Sequence, residues 1–175
     1  IGTDGPFTGA ISYRGYLLFF KENCIHKIYG STPSEYSMNT TMCRGVQRGS
    51  WRSLNIVNEV LYYLSRDGVV AYDGSLPVSV SDAFGGEMYR NATAGSMGHT
   101  YYISMQDSAD DAWHLFTYDT EKRIWHREDN TRALCFANVR GDLQYIDADK
   151  KQLISATGMS GTPEGDIEWY AESGI

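Results

Sequence analysis

Four stretches of this chain repeat one pattern at nearly constant spacing: GYLLFFK (15–21), EVLYYLS (59–65), GHTYYIS (98–104) and GDLQYID (141–147). Their third positions, Leu17, Leu61, Thr100 and Leu143, lie 44, 39 and 43 residues apart. A fixed period of this size constrains the fold more than any single motif, because each repeat must be one structural unit that buries its apolar faces against the next. The flanks recur too. A short strand-like run precedes each anchor: GAISY (9–13), SLNIV (53–57), ATAGSM (92–97) and ALCFANV (133–139). A third run follows it: CIHKIYG (24–30), GVVAYDG (68–74), HLFTYDT (114–120) and QLISAT (152–157). A more variable fourth closes the unit: EYSMNTT (35–41), PVSVSDA (77–83), IWHRED (124–129) and DIEWYA (166–171).

Four strands per unit and a period near 42 residues predict an all-β chain, a β-propeller or propeller-like fold with about four blades of four-stranded antiparallel meanders. The units run approximately 9–45, 50–86, 92–129 and 133–171, within one domain or fragment spanning 1–175. No stretch carries a 3.6-residue apolar period, which sets α/β architectures aside. Composition agrees: 13% aromatics with 13 Tyr suit pleated surfaces, and 18 Gly supply turns. The ends, Ile1 and Glu172-Ser173-Gly174-Ile175, read as those of a piece excised from a longer protein.

FTYDTEKRIWHRED (116–129) shows how one corner is made. Tyr118 ends a strand, Asp119-Thr120 starts the turn by bonding its backbone, and Trp125 opens the next strand, so that the two rings meet near the sheet edge. Tyr72-Asp73-Gly74 and Ile28-Tyr29-Gly30 take the same corner in earlier units. The device is similar to the Tyr-to-Trp hairpin of kelch blades, although the kelch Gly-Gly occurs only at Gly85-Gly86, a unit boundary. Ser65-Arg66-Asp67-Gly68 resembles part of the Asp-box turn of sialidases without its closing Trp, and no Trp-Asp or Gly-His signature is present.

With 15 basic and 22 acidic residues the net charge is −7, which argues against wrapping nucleic acid. Arg44, Arg48 and Arg52 are the local exception, but Gly45 and Gly49 interrupt them and a solvated loop is the simpler reading. Cys24, Cys43 and Cys135 have no CxxC spacing and read as free thiols of a reducing cytoplasm. The sequons at Asn39 and Asn91 would matter only in a eukaryotic secretory setting. No apolar run reaches the length of a membrane span, and no signal peptide is visible.

Chemistry-bearing motifs are sparse. His26, His99, His114 and His126 occupy four separate contexts without HxH or HExxH spacing, and read as hydrogen-bonded or exposed imidazoles. The acidic turns Gln106 to Asp111 and Asp147-Ala148-Asp149 offer carboxylates at alternate positions, yet without the EF-hand glycine and glutamate they read as solvated hairpin tips. Gly158-Met159-Ser160-Gly161 is incomplete as GxSxG, and Gly45 to Ser50 has no phosphate-loop Lys. A glycosidase needs two opposed carboxylates, and no pair is indicated. The sequence therefore assigns no catalytic, cofactor-binding or metal-binding residue, and no cofactor.

DGPFTGAISYRGYLLFFKENCIHKIYGSTPSEY, followed by GSWRSLNIVNEVLYYLSRDGVVAYDGSLP, resembles the propeller-like region of structural proteins from tailed phages and prophages of Gram-positive bacteria. IEWYAESG resembles the segment by which those proteins leave the propeller. The similarity spans Asp4 to Gly174. It implies a non-enzymatic virion module, assembled in the bacterial cytoplasm, that works by contact with other virion subunits and carries over no catalytic residue. Unpaired blade edges would allow copies to associate. A carbohydrate-binding propeller of a host-recognition apparatus, with a glycan on its Tyr and Trp rings, is the alternative; a glycoside hydrolase or lyase on the same scaffold is a third.

Overall fold

The computed structural model describes residues 5–158, which form four antiparallel sheets, each a meander in chain order, with no α-helix among them. The first sheet holds β1 (Gly9–Tyr13), β2 (Tyr16–Lys21), β3 (Cys24–Tyr29) and β4 (Ser37–Met42). The second holds β5 (Asn55–Val57), β6 (Val60–Ser65), β7 (Gly68–Tyr72) and β8 (Val78–Ser79). The third holds β9 (Tyr89–Met97), β10 (Thr100–Asp107), β11 (Trp113–Asp119) and β12 (Ile124–Asp129). The fourth holds β13 (Ala133–Val139), β14 (Asp142–Asp147) and β15 (Gln152–Ser155). The expected strand at 166–171 lies outside the described residues, as do most of Gly158-Met159-Ser160-Gly161 and the segment IEWYAESG.

Two-residue turns set the register of each first hairpin. They are Arg14-Gly15, Asn58-Glu59, Gly98-His99 and Arg140-Gly141, whose first residues all have φ between 48° and 57°. Such left-handed turns match the twist of the flanking strands. They also correct the sequence alignment by one residue in the third unit. The glycine there is the first turn residue rather than the second, so the equivalents are Leu17, Leu61, Tyr101 and Leu143, spaced by 44, 40 and 42.

The short β8 departs from expectation as well. Ser81 takes over where a longer strand would pair: its hydroxyl accepts from the Val69 amide (2.9 Å), and the chain then turns through a 3-10 segment at Asp82–Phe84. The second unit's first strand likewise starts late, at Asn55, because Trp51–Ser53 forms a 3-10 turn.

Side chains alternate across each central strand, which gives every sheet two faces. Leu61 and Tyr63 of β6 share a core with Leu18 and Phe20 of β2, while Tyr62 and Leu64 share the next core with Tyr101 and Ile103 of β10. Phe20 meets Tyr63 edge-on at 5.3 Å, and Tyr62 meets Tyr101 at 5.4 Å. Gly95 of β9 lies against Phe136 and Leu143, joining the third sheet to the fourth. In each junction the back of one sheet covers the front of the next. The front of the first and the back of the fourth are left over, and there Leu17 (50% exposed), Met38 (46%) and Leu153 (52%) meet solvent.

Polar bonds fasten the same junctions. Ser53 Oγ accepts from the Leu64 amide and Tyr101 Oη donates to the Ser53 carbonyl. Ser104 Oγ donates to the Thr131 carbonyl and accepts from the Ala133 amide. At the turns, Tyr13 Oη donates to the Glu59 carbonyl (2.6 Å), Arg14 donates to the Asp73 carbonyl (3.1 Å), and Asn58 donates to Thr120 Oγ1 (3.2 Å). The turn of one sheet thus latches onto the following sheet.

Candidate functional site

A cavity of about 820 Å³ opens between the outer strands of the second and third sheets. Its apolar wall is built by the corner singled out in the sequence. Tyr118 and Trp125 are register partners on β11 and β12, with ring centres 4.7 Å apart and planes at 32°. Asp119 Oδ1 accepts from the Glu121 and Lys122 amides at 3.0 and 2.9 Å, which forms the turn as expected. Trp125 Nε1 donates to the Val80 carbonyl of the second sheet (2.6 Å), so the indole is fixed across the junction.

Tyr62 completes the aromatic wall, and Asp73, Asp82 and Arg123 bring charge to the rim. Burial pushes the Tyr62 and Tyr118 phenols up, so both stay neutral donors. Ser75 holds the Asp73 carboxyl below its ordinary range through a hydroxyl and an amide bond. Asp82 accepts from Ser79 Oγ at 2.7 Å. The Asp73 carboxyl, kept ionised, can accept a hydrogen bond or act as a base but cannot serve as a general acid.

Two clusters bring together residues that the sequence reading kept apart. On the front of the first sheet, Cys24 Sγ lies 3.5 Å from His26 Nε2, and His26 Nδ1 lies 2.8 Å from Thr40 Oγ1. Residues two apart on β3 share a face, and Thr40 is the register partner of His26. The order of thiol, imidazole and orienting hydroxyl resembles an activated nucleophile. Both partners are buried, however, and burial with Lys21 nearby lowers the His26 pKa, which opposes the thiolate–imidazolium pair that reactivity needs. Phe7 closes over the ring at 5.8 Å.

In the third sheet, Asp107, Asp110 and His114 converge, with candidate donor atoms within 4.8 Å of one another. The acidic turn and one histidine, separate in the sequence reading, therefore share one hairpin. Arg127 Nη2 sits 2.8 Å from His114 Nδ1 and 2.9 Å from Asn130 Oδ1, with Asn130 Oδ1 itself 3.1 Å from Nδ1. A guanidinium only donates and an amide oxygen only accepts, so Nδ1 bonds Arg127 in one tautomer and Asn130 in the other. Asp107 and Asp110 accept the Ala109 and Ala112 amides at 2.7 and 2.9 Å. The cluster braces a hairpin tip.

The remaining sequence candidates stay apart. His99 accepts from Asn58 at 2.9 Å, and His126 is exposed on β12. Arg44 pairs with Asp67 at 3.2 Å, while Arg52 reaches the Leu134 carbonyl and stacks on Trp51, so the three arginines form no single basic face. Asp147 is buried and accepts the Asp149 and Lys150 amides at 2.8 Å. Cys43 and Cys135 are half-buried and free.

A second cavity, about 630 Å³ and almost wholly apolar, lies on the front of the first sheet, where Phe7, Phe19, Ile28 and Met38 line it and Trp51 stands at its side. No family model matches the sequence, and no curated protein matches it.

Proposed function

We propose that this chain is a non-catalytic structural and protein–protein interaction module, a β-propeller-like fragment of a virion protein of a tailed phage or prophage. The observation that carries the reading is the stack itself. Four small sheets cover one another in sequence, and the stack ends in two apolar faces that show Leu17, Met38 and Met42 on one side and Ile146 and Leu153 on the other. Exposed apolar surface of this kind marks contact with other macromolecules. The radial arrangement of a propeller gives such sheets a rigid frame with hairpin loops at both rims. The phage assignment rests on the sequence resemblance alone.

Mass spectrometry of purified particles from a strain carrying the gene, with portal, capsid or tail genes beside it, tests the reading. The chain is expected in stoichiometric amount in the particles. Recovery only from the particle-free fraction overturns it.

A second reading is supported by the cleft between the second and third sheets. Tyr62, Tyr118 and Trp125 offer ring faces, and Asp73, Asp82 and Arg123 offer polar groups at the rim, a combination suited to sugars. Glycan-array binding that Trp125→Ala abolishes would favour this alternative.

A further inference from the structure

We infer that copies of this chain stack head to tail, the back of the fourth sheet of one copy covering the front of the first sheet of the next. The inference rests on the interaction-module reading above and names the partner as a second copy.

The argument is one of equivalence between units. The two-residue turns align Leu17 and Phe19 with Leu61 and Tyr63, Tyr101 and Ile103, and Leu143 and Tyr145. In the second, third and fourth sheets these front positions are all buried, and each is covered by the back of the sheet before it. In the first sheet Leu17 is 50% exposed and Met38, across Ile28 from it, is 46% exposed, while Phe19 is half-buried with Phe7 against its ring. The surface that would cover it has the form of a sheet back, and among the described residues the back of the fourth sheet is covered by no other sheet. On the fourth sheet Ile146, in the position of Phe20 and Leu64, is 38% exposed, and its register partner Leu153 is 52% exposed. By the internal contact of Phe20 with Tyr63, Ile146 of one copy falls on Phe19 of the next.

The turn latch gives a second, independent observation. Arg14-Gly15 and Arg140-Gly141 are the same dipeptide at the same turn position, with φ of 48° and 54° at the arginines. Arg14 donates to the Asp73 carbonyl at the end of the following sheet's third strand. Arg140 stands at the equivalent turn of the last sheet, with no partner among the described residues. The position equivalent to Asp73 in a following copy is Tyr29, at the end of β3, and its carbonyl is the acceptor Arg140 would meet. A contact between two different surfaces repeats in one sense, closing into a ring or running on as a filament.

Sedimentation velocity of the full chain, with light scattering, tests this. The wild-type chain is expected to form species larger than a dimer at tens of micromolar. A front variant, Leu17→Glu with Met38→Glu, and a back variant, Ile146→Glu with Leu153→Glu, are each expected to be monomeric with an unchanged far-UV spectrum, since all four side chains are exposed. An equimolar mixture of the two is expected to stop at a dimer, because one intact front and one intact back remain. Arg140→Ala is expected to weaken assembly roughly five- to tenfold, as loss of one charge-assisted bond at a solvated rim would.

A wild-type chain that stays monomeric at about 100 μM overturns the head-to-tail contact, and so does either variant assembling alone or a mixture that stays monomeric. These outcomes leave the interaction-module reading in place, because it falls by absence from particles rather than by absence of self-association.

Discussion

Gly95 and Phe136 meet so closely that a Cβ built on the glycine would lie 2.5 Å from the Cβ of the phenylalanine and 3.1 Å from Leu143 Cδ1. The contact seats the fourth sheet on the third, and nothing larger than hydrogen fits. Gly95→Ala should force these sheets apart and cost about 1–3 kcal/mol, as overpacking of a formed core does. Urea denaturation followed by tryptophan fluorescence measures it; an unchanged midpoint would show that the junction is looser than described.

Ser104 is buried and bonds two backbone groups of the following segment, the Thr131 carbonyl and the Ala133 amide. Ser104→Ala leaves both without that partner in a dry junction, at a cost of about 2–3 kcal/mol. Ser104→Thr keeps the hydroxyl and should recover part of the loss, a difference thermal melts can resolve.

Trp125 joins two sheets by ring contact with Tyr118 and Phe84 and by its bond to the Val80 carbonyl. Trp125→Phe keeps the stacking and loses the bond, for about 1 kcal/mol. Trp125→Ala loses both and should cost roughly 2–3 kcal/mol, less than a fully buried tryptophan because the ring is partly exposed. Equal effects from the two substitutions would show that the hydrogen bond carries the contact.

Alkali should unfold the chain. Burial pushes the Tyr63 and Tyr101 phenols well up, and burial with neighbouring Cys24 pushes the Cys43 thiol up to about 11. Each group is an acid whose folded pKa is raised, so the native state holds its proton longer than the unfolded chain. The stability they contribute is complete below the ordinary values of 9.0 for thiol and 10.0 for phenol, and is lost as pH rises beyond them. The melting temperature should be flat from pH 7 to about 8.5 and fall steeply above pH 10, with tyrosinate absorbance appearing together with unfolding. Tyrosinate that titrates fully at an unchanged melting temperature would contradict the burial.

Thiol titration reports the first sheet separately. Cys24 is buried beneath the Phe7 and Phe19 face beside His26, and should react with a disulfide reagent at pH 8 only after denaturant is added. Fast reaction of Cys24→Ser-sensitive thiol in the folded chain would instead mark the Cys24–His26 pair as accessible and activated.

Most of the strand pattern was legible in the sequence because alternation and turn chemistry agree. β1, β12 and β13 have the bounds read from GAISY, IWHRED and ALCFANV. The Asp119 turn and the Tyr118–Trp125 contact also follow from residue types. What failed were places where a local signal was ambiguous or a side chain replaced a ladder bond. Gly98 could begin or end a two-residue turn, and only the pairing of Thr100 with Met97 decides it. Ser81, bonding Val69, shortened β8 in a way Val-Ser-Val alternation does not announce. The meetings of Cys24 with His26 and of His114 with Asp107 and Asp110 depend on register and hairpin shape. Cys-x-His does put both side chains on one face of a strand, and that spacing was the one readable hint.

Because each interior sheet is covered by a neighbouring sheet on both faces and each terminal sheet, among the described residues, on only one, protection from amide hydrogen exchange should be graded along the chain. β6, β7 and β10 should be slowest, since the two largest cores flank or include them. β4 and β15 should exchange first, by opening of the outermost layers while the centre stays folded. Such a molecule loosens from its ends inward, and anything that seats on an end face slows that exchange without touching the middle.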